Sequence, residues 1–214
     1  MDLLAYMVSI GDRIVEALIQ HLWLAGVAVG LGTLVGVPLG IFLTRAERVA
    51  QPILGFAGVL RTIPSLALLG FMMPVFGIGN PPAIAALFLY SLLPILRNTY
   101  TGIRGVDPVT LEAAKGMGMT DRQMLALVQL PIALPVIMSG IRTSTVTIVG
   151  WATVAAFIGG GGLGQLIFTG LVMNNNRLLL AGAIPSALLA ILVDYFLGYV
   201  ENRVTPKGLK VQRA

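Results

Sequence analysis

The sequence predicts an all-α membrane protein with about five core transmembrane helices. Three observations carry this. The chain of 214 residues is 57% hydrophobic and 11% charged, with a mean hydropathy of +0.90, whereas soluble domains carry about a quarter charged residues. Apolar runs of about 20 residues recur along it, the length a helix needs to cross a bilayer. Between two of those runs lies one polar stretch, Asp107 to Pro131, with helix signals at both ends.

Residues 1–19 place Leu3, Leu4, Met7, Ile10, Ile14, Val15 and Leu18 at helical spacing, which predicts an amphipathic interfacial helix. Asp2, Asp12 and Glu16 precede the first long apolar run without a basic leader, so no cleavable signal peptide is expected. The first span is Leu22 to Leu43, where Gly26, Gly30, Gly32, Gly36 and Gly40 suit close helix–helix packing. Arg45, Glu47 and Arg48 form a short loop. The second span, Ile53 to Phe76, is interrupted at Arg61, Thr62 and Pro64, which predicts a kink or break. After an uncharged turn at residues 77–82, the third span runs from Ala83 to Leu96, contains Pro94 and extends to Asn98.

In the polar stretch, Asp107 can cap a helix that has Pro108 at its first position, where the missing N–H costs nothing. Gly116 and Gly118 can end that helix, and Thr120 with Gln123 fits a capping box that starts another. Residues 107–131 therefore read as a water-exposed helix–turn–helix. The fourth span, Ile132 to Ile158, carries a polar band of Ser139, Arg142, Thr143, Ser144, Thr145 and Thr147. A glycine run at 159–164 is too flexible to continue a helix. Leu166 to Met173 reads as a small re-entrant or interfacial helix, and 174–177 as a turn. The fifth span, Leu178 to Val200, contains Pro185 and Asp194, and residues 201–214 form a basic tail. The whole chain, 1–214, reads as one transmembrane domain.

Charge sets the expected orientation. With five spans, one face receives Arg45, Arg48, Arg97, Arg104, Lys115, Arg122, Arg203, Lys207, Lys210 and Arg213. The other receives Arg13 and Arg177, and Arg61 and Arg142 fall within spans. The basic face is the cytoplasmic one, which places the polar stretch and the C-terminus inside and the N-terminus outside. The net charge of +5 is assigned to those loops, and no nucleic-acid partner is expected.

Catalysis finds no support. The sequence has no cysteine and a single histidine, His21, so neither a thiolate nor a multi-histidine metal site is expected. His21 falls at the outer edge of the first span, where a histidine needs no special role. No Gly-x-x-x-x-Gly-Lys-Ser/Thr loop occurs, so ATP, if used, is hydrolysed by another polypeptide. No catalytic residue, metal or cofactor is assigned to this chain.

The polar stretch resembles the cytoplasmic loop of permease subunits of binding-protein-dependent ABC importers. The matching residues are Glu112-Ala113-Ala114, Gly118, Val128 and Leu130-Pro131, with Val128 where isoleucine is more usual. The match fixes identities and spacings over 20 residues, Glu112 to Pro131. Thr62-Ile63-Pro64-Ser65-Leu66-Ala67-Leu68-Leu69 and Leu93-Pro94-Ile95-Leu96-Arg97-Asn98-Thr99-Tyr100 resemble the osmoprotectant branch, importers of glycine betaine, carnitine, choline or proline. Gly161-Gly162-Leu163-Gly164 fits that branch as well as the methionine-importer branch, so it does not discriminate.

The resemblance implies the type I importer permease fold and a loop that docks into a groove on an ABC ATPase through Glu112, Ala113, Ala114, Gly118, Leu130 and Pro131. It also implies a second permease subunit, identical or related, an extracytoplasmic solute-binding protein, and a site in the lipids of a bacterial cytoplasmic membrane.

Three charges within spans, Arg61, Arg142 and Asp194, need partners or water. Asp194 is expected to pair with Arg142 or Arg61 and brace the bundle near an inner gate, unless the charges snorkel to the interface. Together with Ser139 and Thr143 these residues are candidates for the translocation path or gate, although such hydroxyls can equally bond to helix backbone. No aromatic cage for a quaternary ammonium is evident around Trp23 and Trp151. The expected function is the permease of an importer for a compatible solute. The alternatives are a methionine-type permease, a membrane-embedded lipid-modifying enzyme and a membrane scaffold.

Overall fold

The structure, a computed structural model, describes residues 2–206, and the tail residues Lys207, Lys210 and Arg213 lie outside the described residues. Helix α1 (Leu3–Ser9) is short, and α2 (Gly11–Leu43) is one helix of 33 residues. The surface helix expected over 1–19 is therefore divided at Ile10, and its second half belongs to the spanning helix. No proline interrupts α2 before Pro38, and Asp12 in its first turn suits the positive end of the helix dipole.

Helices α3 (Glu47–Thr62) and α4 (Ser65–Phe76) are the two halves of the expected second span, bent by 102°. Pro64 accounts for the break. It has no N–H to donate, and it drives Ile63 to an extended ψ of 128°. Helix α5 (Asn80–Arg104) reaches beyond the expected third span at both ends, with prolines in its first turn.

Helix α6 (Pro108–Gly116) starts the polar stretch. Helix α7 (Asp121–Met124) passes through a π-helical turn, Leu125–Gln129, directly into α8 (Leu130–Ala152). The expected second helix of the loop and the fourth span are thus one rod, Asp121–Ala152. The span stops at Ala152, and Val154–Ile158 is a 3₁₀ turn. Helix α9 (Leu163–Val172) is short, and α10 (Asn176–Val204) is capped by the Asn175 side chain, which accepts from the Arg177 and Leu178 N–H groups.

Among the described residues four helices are long and apolar enough to cross a membrane, and α3 with α4 supply a fifth crossing if the bent pair is counted as one. Within the bundle α5 packs on both α2 and α8. Lipid tails are as apolar as leucine, so closeness of contact decides such packing. A Cβ on Gly40 of α2 would stand 2.7 Å from Thr99 of α5, and one on Gly140 of α8 would stand 2.6 Å from Asn98. Only glycine admits these approaches. Of the five glycines in the first span, Gly32, Gly36 and Gly40 meet α5, whereas Gly26 and Gly30 meet nothing within 4 Å.

Candidate functional site

Two groups of residues stand out: the loop between α5 and α8, and a charged cleft between α8 and α10. In the loop the Asp107 carboxylate accepts from the Val109 N–H at 3.1 Å and starts α6. The helix closes at Gly118, whose φ of +82° is favoured by glycine. The Met119 N–H donates to the Ala114 carbonyl at 3.2 Å and the Gly118 N–H to Lys115 at 3.0 Å, which satisfies the last carbonyls of α6. Thr120 then accepts from the Gln123 N–H while the Gln123 side chain accepts from the Thr120 N–H, a complete capping box. Gly116, read as a helix stop, is the last residue of α6, and Gly118 alone takes the left-handed conformation.

The π-turn follows from Leu130-Pro131. Pro131 cannot donate to a carbonyl four residues back, and its ring crowds that carbonyl. The helix widens instead, with the Leu130 N–H donating to the Leu125 carbonyl five residues earlier. Glu112 and Ala113 are exposed on α6, Leu130 and Pro131 half-buried. Ala114, expected to face a partner, is 2% exposed and turns into the chain. The loop is tied to the α2–α3 corner by Arg45, which donates to the Asp121 carbonyl at 3.0 Å and lies 3.7 Å from its carboxylate. Arg104 pairs with Glu47 at the same corner.

In the cleft, Arg142 of α8 grips Asp194 of α10 with two bonds, Nε to Oδ1 at 2.6 Å and Nη2 to Oδ2 at 2.8 Å. Its third nitrogen, Nη1, reaches Glu201 Oε2 at 3.4 Å. Of the two partners expected for Asp194, the structure brings Arg142 and not Arg61. Arg61 is exposed in the last turn of α3 and forms no ion pair among the described residues. Ser139, Thr143, Val146 and Thr147 line an open cleft with Arg142 and Asp194. Part of the polar band is absorbed by backbone: Thr145 donates to the Ile141 carbonyl, Thr147 to Thr143 and Ser144 to Ser91.

Sequence reasoning missed four contributors: Glu201, His21, Gln20 and Tyr90. Glu201, which the sequence places at the start of the tail, lies within α10, seven residues after Asp194 and on the same face. That spacing was the available signal. His21 is fully buried, and its Nε2–H donates to the Val149 carbonyl at 2.8 Å, joining α2 to α8. Beside it, Gln20 accepts from the Gly162 N–H at 3.1 Å and pins the glycine run. Tyr90 of α5 donates from its hydroxyl to the Ile63 carbonyl at the α3–α4 break, and its ring packs on Trp151 with centroids 4.5 Å apart. Among the described residues no group of three His, Cys, Asp or Glu side chains could hold a metal ion.

Comparison with known proteins fits this geometry. The chain is 49% identical to the glycine betaine/carnitine/choline transport system permease protein OpuCB of Bacillus subtilis, over 98% of this chain and 96% of that one. It is 51% identical to the choline transport system permease protein OpuBB of the same organism, over 94% and 92%. The fold is that of a chain of the MetNI methionine ABC transporter in an inward-facing conformation, with a TM-score of 0.82 over 90% of this chain and 96% of that one, at 23% identity. Residues 36–206 match the inner membrane components of binding-protein-dependent transport systems, and to that family the chain belongs.

Proposed function

We propose that this chain is the permease subunit of an ATP-driven importer for a compatible solute of the glycine betaine, carnitine or choline kind. The observation that carries this is the Glu112–Pro131 segment, built as a capped helix and a glycine turn that lead without a break into a spanning helix. Family membership implies ATPase and solute-binding partners. The compatible-solute reading is supported by relatives at 49% and 51% identity whose names carry those solutes. The methionine-type reading is supported by a likeness of fold alone, at 23% identity.

ATPase docking is assigned to the exposed face of α6 and its turn, with Glu112 and Ala113 at the surface and Gly118 setting the turn. Ala114 supports that face from beneath, and Leu130 and Pro131 join it to α8. A rod from Asp121 to Ala152 transmits displacement better than a loop does. A second permease, identical or related, completes the path between lipid-facing surfaces. The loop and the C-terminus lie in the cytoplasm and the N-terminus outside, as the basic loops suggest. Arg142 and Asp194 brace the inner part of the bundle beside Ser139 and Thr143, and Arg61 at the α3–α4 break faces the path.

The test is purification with partner subunits and uptake of radiolabelled choline and glycine betaine into proteoliposomes. ATP-dependent uptake, with an ATPase in the complex, is expected. Gly118→Val should release the ATPase, because a branched side chain is strained at a φ of +82°. Retention of the ATPase by this variant would remove the turn from the docking surface, and uptake of methionine alone would favour the runner-up.

A further inference from the structure

Asp194, Gly198 and Glu201 lie four and three residues apart, so they form one stripe along α10. The Arg142 guanidinium lies across that stripe. It holds Asp194 with two nitrogens, while the third is 3.4 Å from Glu201. Between the carboxylates there is no side chain. A Cβ on Gly198 would stand 2.9 Å from Arg142 Nη1 and 3.0 Å from Cζ. A static brace needs one carboxylate. Here one guanidinium reaches two carboxylates across a gap of glycine width.

From this we infer that Asp194, Gly198 and Glu201 form a two-station rail for Arg142, with Glu201 and Gly198 as positioning residues of the transport cycle. The inference rests on the reading of the chain as a coupled permease. Glu201 lies toward the C-terminal end of α10, the end of the bundle where α8 begins. A pull on the α6–α7 segment therefore moves Arg142 away from Asp194 and toward Glu201. The guanidinium lies beside Gly198, three residues before Glu201, so a slip of about 4.5 Å exchanges one carboxylate for the other. An arginine left unpaired among spanning helices is costly, and the second carboxylate keeps it paired throughout the slip. Five N–H donors in a rigid fork let arginine hold both at the crossover, one of them bidentately, a geometry that lysine lacks.

The test compares Glu201→Gln, Glu201→Asp and Gly198→Ala in the purified complex with its ATPase. The readouts are thermal stability, ATP hydrolysis and radiolabelled choline transported per ATP hydrolysed. Glu201→Gln is expected to keep the ATPase and its hydrolysis while transport per ATP falls at least about fivefold, with recovery in Glu201→Asp. Gly198→Ala, which obstructs the rail but favours helix, is expected to lower the same ratio without loss of thermal stability. Normal transport per ATP in Glu201→Gln overturns the rail. So does a loss of transport that only follows a loss of folded protein, with no recovery in Glu201→Asp. A wild-type complex that contains no ATPase overturns the permease reading itself, and the rail with it.

Discussion

A methyl group added to Gly40 would stand 2.7 Å from Thr99, and one added to Gly140 would meet Asn98 at 2.6 Å. Along α3 and α4 the same addition at Gly55, Gly58 or Gly70 would meet nothing within 4 Å. Both regions are glycine-bearing membrane helices, but glycine does opposite things in them. In the α2–α5–α8 block it lets backbones touch, which replaces the hydrophobic drive that lipid does not supply. In the broken span it leaves the surface open. There, attachment rests on side chains: Ala50 and Ala57 of α3 buried with Leu43 and Leu96, the Glu47–Arg104 pair, Leu68 and Leu69 of α4, each 3% exposed, and the Tyr90 bond to the Ile63 carbonyl. The first region has the construction of a frame, the second that of a part hung on it by side chains on either side of a break.

The sharpest way to break this comparison is to fill equivalent spaces in the two regions. Gly140→Leu forces α8 away from α5 and should cost about 3 kcal/mol, roughly 6–12 °C in the unfolding temperature of a chain this size. Gly55→Leu has room and should stay within roughly 0.5 kcal/mol of the parent. Thermal unfolding in detergent, read for both variants, decides it. Equal losses would erase the distinction between frame and hung part.

How much of this was legible in the sequence depends on the range of the interaction. The loop was legible almost completely, because caps are local: Asp107 with Val109, Thr120 with Gln123 and the left-handed Gly118 are settled within a few residues. The break at Pro64 was legible for the same reason. Its angle was not, because a missing N–H says where a helix yields and not which way the halves turn. The merger of the loop with α8 was hidden, since Leu130-Pro131 reads as a boundary and only the π-turn shows that the helix survives it. Asp194 had two arginines to choose from, and the choice of Arg142 required the α8–α10 contact. The five glycines of the first span looked alike. Three meet α5 and two do not, a difference set by the neighbouring helix. His21 shows the limit most plainly: its partner, the Val149 carbonyl, is 128 residues away.

A smaller effect sharpens the comparison at its junction. Tyr90→Phe removes the hydroxyl that satisfies the Ile63 carbonyl but keeps the ring against Trp151. Polar bonds between membrane helices average about 0.6 kcal/mol, so the unfolding temperature should barely move. Hydrogen exchange should respond locally. Amides from Ser65 to Leu69 should exchange several-fold faster, while those from Ala28 to Gly40 stay as they were. Uniform acceleration along both segments would mean that Tyr90 belongs to the frame.

The smallest expected effect is the most informative about what lies outside the chain. Gly26 and Gly30 are exposed on α2, with open space where a Cβ would be. Gly26→Ala should therefore leave the folding of the single chain unchanged or slightly improved, because alanine holds a helix better than glycine by up to about 1 kcal/mol. Gly40→Ala, one face round the same helix, should be destabilising, with Thr99 in the way. If Gly26→Ala leaves stability alone but dissociates the purified complex, the open glycine face of α2 is where another membrane helix of the assembly approaches. If it changes neither, as expected, close packing through glycine in this chain is confined to the frame. Size-exclusion chromatography of the complex beside thermal unfolding of the chain separates the two results, and does so with a single methyl group.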